Sequence, residues 1–293
     1  MEIQTIRSER ARAEISPLGA ELLSLQDDGG TEYLWQGDAK YWDRRAPNLF
    51  PYIGRLTGGR YTYGGRQYHM GIHGFLPHTE MTATRLSGNA VRYFLRDSAA
   101  TREAYPFPFA LCIDYALNGC RLDITYGVRN SGEERMYFGM GGHPGFRVPL
   151  EPGLTFEDYE LVFAEECHPI RVGLSERHFV SGDDTGFPLT NGRSLPLSHA
   201  LFDDDAIVLR EACREVALQS GPAGKSVTVS FPDMPYVGFW HAPNTDAPYI
   251  CIEPWLGLPD EAAHNGNIQE KLGIITLQSG HEYNWTHTIT IHE

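Results

Sequence analysis

No C-x-x-C pair occurs in this 293-residue chain, and its five cysteines, Cys112, Cys120, Cys167, Cys213 and Cys251, make an odd number. A disulfide framework and a structural zinc site are therefore not expected, and neither is a metal. No apolar run reaches the ~18 residues that a membrane-spanning helix needs. The segment after Met1, Glu2 to Arg7, has no apolar core. No secretory leader is expected, and a reducing cytoplasm is the expected location. Positive charge is scarce: 24 Lys and Arg face 38 Asp and Glu, a formal net charge of −14. Such a surface repels phosphate backbones and anionic lipid, so neither nucleic acid nor a membrane is an expected partner. Nucleotide-binding and hydrolase motifs are missing too. In Gly139-Met-Gly-Gly-His-Pro-Gly145 the third glycine of G-x-G-x-x-G would fall on Pro144, and no helical pattern follows. There is no Walker motif, no H-E-x-x-H and no G-x-S-x-G. Helical periodicity is scarce; the longest candidate, 206–218, is short and rich in β-branched residues.

Glycine (31), proline (19) and aromatic residues (15 Tyr, 14 Phe, 5 Trp) are plentiful instead. Period-two alternation is the dominant pattern. Leu111, Ile113, Tyr115 and Leu117 alternate with smaller or polar residues, as do Leu122, Ile124, Tyr126 and Val128. Val227, Val229 and Phe231 repeat the pattern, and Trp285, His287, Ile289 and Ile291 stand among threonines. Successive side chains of a strand point to opposite faces, so each run can lay one face on a core. Asn118-Gly119 and Gly64-Gly65 read as tight hairpin turns, and Asn130-Ser-Gly132 and Ser279-Gly280 as further turns. The expected fold is all-β: stacked antiparallel sheets in one domain, 1–293, with no linker and no internal repeat.

Four clusters combine polar groups with glycine or aromatic neighbours: Pro47–Arg55 continuing to Gly71–Phe75, Gly141–Phe146, Leu201–Leu209 and Tyr249–Asp260. Glu253 follows the apolar run Tyr249–Ile252 and precedes Pro254-Trp255. A carboxylate there loses water and becomes a stronger base; the alternative is a carboxylate tied to backbone N–H groups. His143, between Gly142 and Pro144, can give and take protons near neutral pH, or can anchor a loop. His73 has a similar setting. Arg55 can donate two bonds to a hydroxyl pair, or pair with the acidic surface. Of Asp203–Asp205 only Asp205, leading into Ala-Ile-Val-Leu, is positioned to enter a pocket. Sugar rings stack on aromatic faces, which makes Trp255, Trp240 and Phe75 candidate platforms. His69, His78 and His241 are read as structural.

The clusters, in this order, resemble the aldose 1-epimerase (galactose mutarotase-like) superfamily, and within it the LacX-type branch. The resemblance rests on Asn48-Leu-Phe-Pro-Tyr-Ile-Gly-Arg-Leu56, Ile72-His-Gly-Phe75, Tyr105-Pro-Phe-Pro-Phe109, Tyr137-Phe-Gly-Met-Gly-Gly-His-Pro-Gly-Phe146, Cys251-Ile-Glu-Pro-Trp-Leu-Gly257 and Lys271–Leu277. It is thinnest between about 150 and 200. It implies a β-supersandwich and a cofactor-free isomerase acting on a small-molecule sugar, in a monomer or homodimer. Glu253 would be the general base and His143 the general acid, with His73, Arg55 and Asp205 positioning substrate. The acid and base are expected to face each other across a cavity one pyranose wide. Leu76-Pro77 stand where many LacX-type chains and sugar-phosphate epimerases carry Ala-Arg. A hexose-6-phosphate 1-epimerase is one alternative, with Arg44, Arg45, Arg60 and Lys271 as the cations a phosphate would need. A non-catalytic carbohydrate-binding protein is the other. A glycoside hydrolase would need two carboxylates about the bond, and only Glu253 has such a setting.

Overall fold

The computed structural model describes residues 2–221 and 224–293. Two large antiparallel sheets dominate it, one of nine strands and one of eight, with a three-stranded sheet from Gln4–Arg7, Ala11–Ile15 and Leu22–Asp27 beside them. The fold is all-β, as the alternating runs require. The strands Phe109–Asn118 and Arg121–Asn130 form the central hairpin of the nine-stranded sheet, paired from Arg121↔Asn118 to Asn130↔Phe109. Its two-residue turn is Gly119-Cys120, one residue beyond the expected Asn118-Gly119. Gly119 takes the positive φ (58°) that the first position of such a turn demands. The Gly64-Gly65 turn joins Arg60–Tyr63 to Arg66–His69 as expected. The helical candidate at 206–218 is instead two strands, Ile207–Arg210 and Glu215–Gln219, in different sheets. Its β-branched residues fit a pleated surface better than a helix. Among the described residues the single α-helix is the short Ala99–Ala104, capped by Ser98.

One continuous hydrophobic cluster joins the sheets. It takes Leu111, Ile113, Ile124 and Tyr126 from the nine-stranded sheet and Phe239, Ile250 and Ile252 from the eight-stranded one, all at most 3% exposed. A polar rivet crosses the same interface. Asn48, on the strand Asn48–Leu49 of the eight-stranded sheet, is 2% exposed. Its amide donates to the Gly19 and Ala20 carbonyls and to Tyr115 Oη, and its oxygen accepts from Tyr126 Oη at 2.7 Å. Every hydrogen-bonding position of the amide serves the fold, so this residue of the Asn48–Leu56 segment joins sheets rather than facing a ligand.

The strand Tyr249–Trp255 lies inside the eight-stranded sheet, buried at every residue, which accounts for its continuous apolar run. On one side it pairs with Tyr236–Trp240. On the other its partner is interrupted: Gly141 stands opposite Trp255 and Gly145 opposite Cys251. That register is continuous across the gap, and it puts His143 opposite Glu253.

Replacing Asn48 with alanine leaves the Tyr126 hydroxyl and the Gly19 carbonyl without a partner in a dry interface, while Tyr115 Oη keeps its bond to the Ala20 carbonyl. At about 1–3 kcal/mol per unsatisfied group, partly relieved by relaxation, the expected loss is about 3 kcal/mol. Denaturant unfolding followed by tryptophan fluorescence checks this; a loss below 1 kcal/mol would show that the rivet is dispensable.

Candidate active site

A cavity of about 450 Å³ opens over the interrupted ladder, within the size range of small-molecule sites. Glu253 and His143 form its floor. Glu253 is 1% exposed and His143 8%, and His143 Nε2 lies 3.2 Å from Glu253 Oε2. The two groups are therefore neighbours, not facing partners separated by the width of a sugar as expected. The correction follows from the register: cross-strand side chains on one sheet face sit side by side.

Burial controls the charge of this pair. Loss of water pushes the Glu253 carboxyl well above its ordinary range; the nearby Asp205 charge pushes it further up, and the Trp255 indole N–H opposes the shift. Loss of water also pushes His143 well below the usual imidazole range, with His73 and then Arg44 adding to the effect and a backbone hydrogen bond partly opposing it. Both residues are thus driven toward their neutral forms. Trp255 Nε1 itself completes no hydrogen bond, and His143 Nδ1 is also without a partner. Gly141 and Gly238, flanking the Glu253 strand, make room for the Trp255 ring: a Cβ on either would come within 3.2 Å of it.

Aromatic rings hold the imidazole. Trp42 stacks on His143 with centroids 4.8 Å apart, and Trp240 meets it edge-on at 5.6 Å. His73 meets it edge-on from another side, at 5.5 Å. His73 has a left-handed backbone (φ 63°), and its Nδ1 accepts from the Gly54 N–H at 3.2 Å. That bond leaves Nε2 as the protonated nitrogen, a neutral donor. Burial, and then the Arg55 charge, lower the His73 pKa to about 4, so the ring stays neutral near pH 7. Arg55 is exposed and lines the cavity. Asp205, again left-handed (φ 77°), accepts from Trp240 Nε1 at 2.7 Å, and its Oδ2 lies 2.8 Å from His178 Nδ1.

Six of the seven expected site residues line this one cavity: Glu253, His143, His73, Arg55, Asp205 and Trp255. Phe75 does not. It packs against Phe50, Tyr105 and Phe109 in the core, so it supports the floor of the fold rather than a ligand. Sequence reasoning missed Trp42 and His178. Neither stands in a glycine-rich segment, and only the tertiary fold brings them to His143 and Asp205. His78, read as structural, lines the cavity as well. Of the four cations proposed for a phosphate, only Arg44 reaches it, and Arg44 is held by Glu21 at 3.3 Å and the Pro77 carbonyl at 2.8 Å. Lys271 is buried elsewhere, donating to the Leu258 and Pro259 carbonyls with Asp260 3.7 Å away. Cys251, on the same face of the strand as Glu253, completes a set of three buried donor atoms within 4.8 Å of one another. Burial and the Glu253 charge push its thiol well up, toward the protonated form that is a poor metal ligand.

The aldose 1-epimerase family model matches residues 2–290. Protein LacX of Lactococcus lactis subsp. lactis is 35% identical over 273 residues, 90% of this chain and 91% of that one. Among solved structures, a galactose mutarotase related enzyme from Lactobacillus acidophilus superposes with a TM-score of 0.94 at 32% identity, covering 100% of this chain and 98% of its own. A galactose mutarotase-like protein from Lactobacillus casei gives 0.92 at 33% identity, over 99% of this chain and 100% of its own. With a full-length family match, relatives above 30% identity and the same β-sandwich fold, this chain belongs to the aldose 1-epimerase family.

Proposed function

We propose that this protein is a mutarotase, interconverting the α and β anomers of a free hexose without a cofactor, and that residues 1–293 act as one domain. The observation that carries the reading is the buried carboxylate–imidazole pair, in contact at the floor of a sugar-sized cavity. Anomer exchange needs a proton taken from the C1 hydroxyl and a proton given to the ring oxygen O5. Both oxygens are bonded to C1, so the two agents must be close neighbours, as Glu253 and His143 are. Glu253 as carboxylate accepts the O1 proton while His143 gives its Nε2 proton to O5. The C1–O5 bond breaks, leaving an aldehyde at C1 and a hydroxyl at C5. After rotation about C1–C2, His143 takes the O5 proton back, O5 attacks the other carbonyl face, and Glu253 returns its proton to O1. Atoms and electrons balance with no carrier and no water consumed.

The charge state suits this cycle. A pair holding one shared proton, as carboxylate and imidazolium or as two neutral groups, has no net charge in either form. Passing that proton between the residues converts the opening arrangement into the closing one. The neutral Nε2–H of His73 and the Arg55 guanidinium are the donors for ring and hydroxyl oxygens, and the Trp255 face is the apolar wall for the ring C–H groups. The phosphate alternative has less support: Arg45, Arg60 and Lys271 stand off the cavity and Arg44 is already paired. A cytoplasmic location accords with this reading, and no helix among the described residues is long and apolar enough to cross a membrane.

Polarimetry of freshly dissolved α-D-glucose and α-D-galactose tests the activity. Glu253→Gln and His143→Asn should each lower kcat by about 10²–10⁴-fold, the usual worth of one proton-transfer partner, with KM changing less than kcat. Full activity in Glu253→Gln would remove the proposal.

The pH dependence has a definite sign. The active pair carries one proton. It gains a second only when pH falls to the depressed pKa of His143, and loses its own only when pH rises to the elevated pKa of Glu253. The profile of kcat/KM should therefore be a bell whose acid limb is set by His143 and whose alkaline limb is set by Glu253. Asp205→Asn removes a charge that raises Glu253, so its alkaline limb should move to lower pH, whatever the change in absolute rate. An unmoved limb would show that Asp205 does not act on Glu253.

A further inference from the structure

We infer that His178 is a substrate-contacting residue of this site, fixed by Asp205, that selects sugars by a hydroxyl remote from the anomeric carbon; this rests on the mutarotase reading. His178 belongs to the turn Ser175–Phe179, within the stretch where family resemblance is thinnest. Its backbone is left-handed (φ 62°), and the turn is closed by its N–H to the Ser175 carbonyl at 2.7 Å and by the Ser175 N–H to the Phe179 carbonyl at 2.8 Å. The next residue but one, Val180, is tied to the Asp260 carbonyl at 2.9 Å. A non-glycine residue persists in this region where its surroundings over-determine it. Asp205, its partner, is held the same way.

The contacts of Asp205 decide which ring nitrogen is free. Nδ1 lies 2.8 Å from Asp205 Oδ2, and Asp205 Oδ1 accepts from Trp240 Nε1 at 2.7 Å. The contact turns Nδ1 toward Asp205 and leaves Nε2 as the ring nitrogen available to a ligand. His178 lines the cavity and is 36% exposed, whereas Glu253 at the floor is 1% exposed. With C1 and O5 of a bound ring at the floor, His178 at the mouth meets the far side of that ring. Arg55, also at the mouth, supplies only donors. A hydroxyl both donates and accepts, so it can meet the His178 Nε2 in either role beside the Arg55 donors. A site built to bond a hydroxyl discriminates strongly against the analogue lacking it.

The experiment compares wild type, His178→Ala and His178→Asn on the preferred hexose and on its 4-deoxy and 6-deoxy analogues. Asparagine retains a donor near the Nδ1 position for Asp205 and removes Nε2. The expected result is a tenfold or greater rise in KM for the preferred hexose in both variants, with kcat within threefold. The preference over one deoxy analogue should collapse to within about twofold. A purely structural role predicts instead that His178→Asn behaves as wild type, and that result would overturn the inference, as would unchanged deoxy discrimination in His178→Ala. Calorimetric titration with the same sugars keeps the two readings separable. A wild type that binds but does not mutarotate removes the proposed function, and the binding ratios then still decide the role of His178.

Discussion

A carboxyl and an imidazole in contact, in a place with almost no water, are the constraint around which this molecule is organised. Neither side chain tolerates such burial as a lone ion. Loss of solvation drives each toward its neutral form, so the two can sit together at the floor of the cavity without a buried net charge.

The eight-stranded sheet makes this contact through its register. The strand Tyr249–Trp255 is buried along its length, so Glu253 has no route to bulk water except through the cavity. Its neighbour, split between Gly141–Gly142 and Gly145–Arg147, keeps the bond from the His143 N–H to the Pro47 carbonyl at 3.0 Å and brings the His143 side chain to the cavity. Asn48 then fixes this sheet against the nine-stranded one, and Trp42 and Trp240 fix the plane and edge of the imidazole. Asp205 links the mouth to the floor: its charge raises the Glu253 pKa while its oxygens hold Trp240 and His178.

The sheet fold was open to reading because its signals are local. Alternation in 111–117 and 121–128 is a property of neighbouring residues, and a Gly-Gly or Asn-Gly pair encodes a turn within four. The segment 206–218 was ambiguous because β-branched residues in a short run fit neither template cleanly until the strand partners Tyr236–Trp240 and Ser226–Ser230 are known. Among the residues that line the cavity, those inside compact glycine-rich or proline-flanked segments were legible: His73, His143, Glu253 and, from its approach to an apolar run, Asp205. Phe75 shared that setting and was misjudged. Which face of a segment meets the cavity and which meets the core is not written in the segment.

By itself the sequence determined that the chain is all-β, where its tightest turns fall to within one residue, and that an imidazole and a carboxylate stand in dry, glycine- or aromatic-flanked positions. Only the tertiary structure decided that these two touch rather than face each other across a sugar. It alone also showed that Trp42 and His178 join them, and that Phe75 and three of the four suspected cations stay away. The physical reason is that propensity and solvation act over a few residues, whereas side-chain contact is set by strand register and loop placement between segments that are not neighbours in the chain.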